Sequence, residues 1–173
     1  ELRAFYDAAL GDADAVLDIC SSWTSHYNSG LRPKRAVALG INPVELLANP
    51  SKTEIRVQNL NRDPVLPFET ATFDACTCSL SVDYMTRPLE LLAELHRVLK
   101  PGGIACMAFT NRCFPSKVVR QWLRPFKDEA HCELVASYFH YCDADWSGIG
   151  VADVSPDGWA GQQHPMLVVM GRK

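Results

Sequence analysis

Residues 68–109 read FETATFDACTCSLSVDYMTRPLELLAELHRVLKPGGIACMAF. Phe73 to Val82 is an apolar run of strand type. Pro88, at a first-turn position, then opens the clearest helix in the chain, LELLAELHRVLK. Leu89, Leu92, Leu95 or His96, and Leu99 recur at helical spacing, with Glu90, Glu94 and Arg97 on the other side. Pro101-Gly102-Gly103 ends that helix and Ile104 to Phe109 reads as the next strand. A strand, a crossover helix and a second strand form a parallel unit.

The same alternation extends in both directions. Upstream, residues 2–10 read as a short amphipathic helix closed by Gly11. Ala15–Ile19 and Ala36–Ile41 read as strands buried on both faces, and Ile55–Leu60 as a third strand. Between the second and third lies VELLAN, opened by Pro43 and stopped by Pro50. Downstream, residues 116–123 and 128–142 read as helices, and 149–154 and 166–170 as strands. A loop with Pro156, Gly158, Gly161 and Pro165 joins these last two strands. Two consecutive strands at the end imply that the last one inserts antiparallel. The expectation is an α/β, Rossmann-like, doubly wound domain over 1–173, with a mostly parallel seven-stranded sheet.

Composition narrows the class. With 47% hydrophobic and 21% charged residues in 173, the chain is ordinary globular protein. A net charge of −3 argues against a dedicated nucleic-acid binder, whose affinity comes from phosphate neutralisation. No apolar run reaches the roughly 18 residues needed to span a bilayer, and no signal-peptide pattern is visible. The chain begins at Glu1, which reads as a trimmed N-terminus. The seven cysteines lack metal-ligand spacing, and Cys76 and Cys78 point to one face of a strand as small hydrophobes. A reducing compartment is expected, the cytoplasm or an organelle stroma. The histidines are scattered without ligand spacing, and no phosphate-binding P-loop or G-x-S-x-G elbow is present.

The block 68–109 resembles the second half of class I S-adenosylmethionine-dependent methyltransferases of the type 11 kind. In those, a strand beginning Phe-Asp leads to a helix ending in L-(K/R)-P-G-G and then to a strand. DICSSWTSH (18–26) and TNRCFP (110–115) are similar to segments of a bacterial and algal branch of that group. The resemblance implies S-adenosyl-L-methionine as cofactor. It also implies where the cofactor would lie: Asp18 and the loop after it on the methionine part, Asn59 and Leu60 at the adenine, Ser79-Leu80-Ser81 again on the methionine part.

Two departures stand out. The family's G-x-G-x-G slots hold Cys20, Ser22 and Thr24, with Trp23 between the last two. Hydroxyls of Ser21, Ser22 and Thr24 are candidates to replace backbone contacts, and Trp23 either floors the pocket or occludes it. Gly40 stands where the second strand usually carries an acid for the ribose, and Asn42 is the candidate acceptor, with a helix cap as its other reading. A charged acceptor contributes roughly 1.5–3 kcal/mol against about 1 kcal/mol for a neutral one, so the exchange predicts weaker binding.

Methyl transfer from a sulfonium relies on positioning, and a base when the acceptor's pKa is high. The candidates are Asp83 and Tyr84 after the fourth strand, Asn111 and Arg112 after the fifth, and His26 after the first loop. Asp83-Tyr84 does not match the N/D-P-P-Y signature of amino-group nucleic-acid methylation. Lys117, Arg120, Arg124 and Lys127 recur at three- or four-residue spacing, with Val118, Val119, Trp122, Leu123 and Phe126 opposite. They predict a basic helical stripe that attracts an anionic substrate or simply faces solvent. The leading expectation is a methyltransferase of a small molecule. The alternative is a non-catalytic descendant binding a partner or nucleotide-like ligand, and a nicotinamide oxidoreductase is disfavoured by the missing G-x-G-x-x-G.

Overall fold

The computed structural model describes residues 1–28, 30–124, 127–156 and 165–173. Gly158 and Gly161 of the expected final loop, and Phe126, lie outside them. The elements run α1 (Leu2–Leu10), β1 (Ala15–Ile19), β2 (Arg35–Gly40), α2 (Pro43–Ala48), β3 (Glu54–Val57), β4 (Phe73–Ser79), α3 (Pro88–Val98), β5 (Leu99–Phe109), α4 (Asp128–Tyr141), β6 (Ser147–Asp153) and β7 (Leu167–Arg172). Short 3-10 turns lie at Val82–Tyr84 and Arg120–Leu123.

One seven-stranded sheet has the order β3-β2-β1-β4-β5-β7-β6. The first five strands are mutually parallel, while β7 inserts antiparallel between β5 and β6. This is the doubly wound arrangement the alternation predicted. Alternate residues of each strand serve opposite faces. Leu17, Ile19, Cys76 and Cys78 pack with Leu91, Leu92 and Leu95 of α3 and Val135 and Phe139 of α4. On the other face Val16, Ala75 and Cys106 pack with Leu2, Tyr6 and Leu10 of α1. That face receives no helix between β1 and β2. The described residues of the 20–34 connection are non-helical, and Tyr27 from this connection fills the core there.

Several boundaries differ from expectation for local reasons. The buried seam of α3 is Leu91, Leu92, Leu95 and Val98, and Leu89 is exposed. β5 begins at Leu99, because Leu99 pairs with Phe73 before Pro101-Gly102-Gly103 interrupts the register. Gly102 takes a φ of +79° there, which a residue with a Cβ adopts only under strain. β4 stops at Ser79, since Leu80 turns to a φ of +56°. Residues 116–123 do not form the expected α-helix: only the 3-10 turn Arg120–Leu123 is present. Between Pro115 and Pro125, with the β-branched pair Val118-Val119, the segment is too short to repay helix nucleation. Lys117, Arg120 and Arg124 therefore do not share a helical face. Among the described residues, no helix is long and apolar enough to cross a membrane.

Candidate active site

Strand order reverses between β1 and β4, so the carboxyl ends of β1, β2 and β4 frame the crevice in which such sheets bind ligands. The connection leaving β1 forms one wall. Cys20 occupies the first glycine slot with a φ of +53°, the left-handed conformation that glycine adopts without cost. The backbone path of a glycine-rich loop is thus kept, and Cys20 packs on the core with Cys78 nearby.

Hydrogen bonds replace glycine's adaptability in the rest of this loop. Asp18 is 4% exposed. Ser21 Oγ donates to its Oδ2 at 2.6 Å, and Thr77 Oγ1 to its Oδ1 at 3.0 Å. Tyr27 OH in turn lies 2.6 Å from Thr77 Oγ1. Burial outweighs these donors and raises the Asp18 carboxyl to about 6. Beneath the loop Asn49, fully buried, donates from Nδ2 to Ser21 Oγ, Ser22 O and Ser25 Oγ at 3.2, 3.1 and 2.9 Å. Its Oδ1 accepts from Ser51 N. The sequence gives no sign of this role, because Asn49 before Pro50 looks like an ordinary helix end.

Asp18, Cys20, Ser22, Trp23, Ser79 and Leu80 are among the residues around a cavity of about 250 Å³. Trp23 is 56% exposed and borders this cavity, beside the larger crevice that shares Cys20, Ser21, Ser22 and Ser81 with it. His26 also borders the small cavity, at a φ of +58°. Partial burial and then Arg3 hold its imidazole below the usual histidine range. Ser79 Oγ pairs with Tyr6 OH at 2.9 Å.

The larger crevice, about 310 Å³, begins at Gly40. A Cβ built on Gly40 would lie 2.3 Å from the Ser21 carbonyl oxygen, so the slot that usually holds an acid has no room for any side chain. A carboxylate reaches the crevice by another route. Glu45, in the first turn of α2, borders it. Its Oε2 accepts from Ser22 Oγ at 2.5 Å and its Oε1 from Asn42 Nδ2 at 2.6 Å. Asn42, by contrast, caps α2: its Oδ1 accepts from Val44 N at 3.0 Å, and it does not border the crevice. In sequence Asn42 and Glu45 read as a capping pair, which hides the second role of Glu45.

Across the crevice stand Asn59 and Leu60, with Ile41 and Met85 completing apolar walls. Ile41 is 70% exposed at this edge, a position that β2's apolar pattern alone does not distinguish from core. Asn61 fixes this wall to the turn after β4, donating to Tyr84 O at 2.9 Å and accepting from Thr86 N at 2.9 Å.

A third cavity, about 510 Å³, opens past the ends of β4 and β5. Leu80, Phe109 and Phe114 give it apolar walls, and Asp83, Tyr84 and Arg112 its polar groups. Asp83 is 5% exposed and hydrogen-bonded by Tyr84, and burial raises its carboxyl to about 6. Val119 N donates to Asp83 O at 2.9 Å, so the segment after β5 is strapped onto this turn. Trp122 anchors the strap, edge-on to Phe109 at 5.4 Å and stacked on His131 at 4.3 Å. The structure thus brings Asp83 and Tyr84 together in one cavity and puts His26 in another.

A seven-stranded sheet with β7 antiparallel, and a polar crevice at its switch point, define the class I, Rossmann-like methyltransferase fold. A known structure of a methyltransferase from Archaeoglobus fulgidus superposes with a TM-score of 0.67 at 12% identity, covering 99% of this chain and 91% of that one. One from Mesorhizobium loti gives 0.62 at 13% identity, covering 95% and 93%. The chain belongs to the methyltransferase-domain family, whose model matches residues 19–107. It is 24% identical over 149 residues to a methyltransferase of Mycobacterium avium, covering 73% of this chain and 54% of that protein. The chain therefore spans about half the length of that curated relative.

The family's cofactor is S-adenosyl-L-methionine, and the donor set fits it. Asp18 and the serine loop offer an acceptor for an ammonium and donors for a carboxylate. Glu45 offers the charged acceptor that a vicinal diol takes, and Asn59 with Leu60 and Ile41 offers an amide edge between apolar walls for a purine.

Proposed function

We propose that this chain is an S-adenosylmethionine-dependent methyltransferase acting on a small molecule. The observation that carries the reading is the contiguity of the three cavities. The two on the cofactor side share Cys20, Ser21, Ser22 and Ser81, and the third meets them through Leu80 and Tyr84. An acceptor in the third cavity would lie beside the cofactor's reactive end. When bound, the cofactor supplies a methyl group made electrophilic by its sulfonium.

The chain's own contribution is orientation and proton management. Asp18, Ser21, Ser22, Trp23, Ser79 and Leu80 surround the amino-acid end, while Glu45, Asn59 and Leu60 hold the adenosine end. Asp83, ionised above about pH 6, accepts the acceptor's proton, and the Tyr84 hydroxyl hydrogen-bonded to it fixes its orientation. His26 is separated from that cavity and acts, in this reading, at the amino-acid end.

Isothermal titration with S-adenosylhomocysteine tests the proposal. Binding is expected, with Glu45→Gln weakening it about tenfold by exchanging a charged acceptor for a neutral one. Absence of both heat and thermal shift at millimolar ligand would refute it.

A further inference from the structure

We infer that the cavity lined by Leu80, Asp83, Phe109, Arg112 and Phe114 takes a hydroxylated aromatic carboxylate. The inference rests on the cofactor assignment and specifies the acceptor.

The cavity's walls select the body of the ligand. Phe109 is buried at the base and held edge-on by Trp122, so this wall is rigid. Phe114 is 66% exposed at the mouth, with the Lys117 ammonium 5.5 Å from its ring centre. An aromatic ring left in solvent at a cavity entrance gains most by stacking on a flat partner. A planar, largely apolar ligand suits a cavity bordered by these two rings and Leu80.

Its polar groups follow from the charged side chains that border the cavity, one buried and one exposed. Asp83 is the acid among the side chains that border the cavity, and a carboxylate there is an acceptor for a ligand hydroxyl. Arg112 borders the same cavity and is solvent-exposed. Among the described residues Arg112, Lys117, Arg120 and Arg124 enter no ion pair. From Arg112 to Lys127 the sequence holds five basic residues and no acid, in a chain whose net charge is −3. This local excess, of which Arg112 borders the cavity, favours an anionic ligand over a cationic one. The planar guanidinium of Arg112 matches a carboxylate with two parallel hydrogen bonds.

The test compares 4-hydroxycinnamate with its neutral amide, 4-hydroxycinnamamide, by calorimetry with and without S-adenosylhomocysteine. The acid is expected to bind about tenfold more tightly, the difference a charged hydrogen bond supplies. Arg112→Gln should erase that preference without shifting the melting temperature, because Arg112 is exposed. Raising ionic strength from about 0.01 to about 0.5 M should weaken the acid far more than the amide. Equal binding of acid and amide, a preference that survives Arg112→Gln, or no binding of either probe overturns the assignment. Binding of S-adenosylhomocysteine in those cases leaves the cofactor reading standing. Its absence, with the acid still preferred, overturns the cofactor reading alone.

Discussion

Gly40→Asp restores the acid that the family carries at the end of the second strand, and the structure predicts that it harms the protein. The added Cβ would fall 2.3 Å from the Ser21 carbonyl oxygen, a distance that real Cβ atoms essentially never show. Ser21 has little freedom to retreat: its N–H donates to Leu39 O at 2.8 Å and its hydroxyl is held between Asp18 and Asn49. Overpacking of this kind costs about 1–3 kcal/mol, and loss of the Ser21 backbone bond adds about 1 kcal/mol. At about 2–4 °C per kcal/mol for a domain of this size, the melting temperature should fall by about 5–15 °C. Affinity for S-adenosylhomocysteine should fall too, since Ser21 and Ser22 border both parts of the cofactor crevice. Adding Gly40→Asp to Glu45→Gln should not rescue binding, although it returns the carboxylate to the family's usual slot. Scanning fluorimetry and calorimetry decide the matter. A variant that melts like the parent and binds more tightly, or a double variant that recovers affinity, would refute both the steric argument and the assignment of Glu45.

Two other substitutions probe the hydroxyl-lined loop. Asn49→Asp removes the amide that organises Ser21, Ser22 and Ser25. S-adenosylhomocysteine affinity should drop at least about tenfold, while methylthioadenosine, which lacks the amino-acid part, should bind within about threefold of the parent. A uniform loss for both ligands would show that Asn49 is merely structural. Asp18→Asn should change stability in a pH-dependent way. The Asp18 carboxyl moves from 3.8 to about 6 on folding, so the native state holds its proton more tightly and stability falls as pH rises through that window. The neutral variant should therefore gain up to about 3 kcal/mol on the parent between about pH 4 and pH 7. Urea midpoints measured across the window would show it, and a constant difference would contradict the buried, ionisable Asp18.

The order of strands and helices was written in the sequence, because apolar periodicity and proline-glycine stops are local. Phe73–Phe109 alone announces a strand, a crossover helix and a strand, and β1 falls on the five residues its apolar run marks. The antiparallel end of the sheet followed from two consecutive strand patterns joined in sequence by a proline- and glycine-containing stretch. Asp18, Cys20, Ser22, Asn59 and Leu60 were legible as crevice residues, since they sit at strand ends that the fold turns toward one place. What the sequence left open depended on distances between segments far apart in the chain. Why Gly40 has no room for an acid, and which carboxylate borders the crevice in its place, turn on the approach of the loop after β1 to the ends of β2 and α2. Asn49 and Glu45 look like helix-boundary residues along the chain, and only packing brings them against a loop more than twenty residues earlier. Periodicity is a property of neighbours in sequence; the chemistry of this crevice arises where three strand ends and a helix terminus meet.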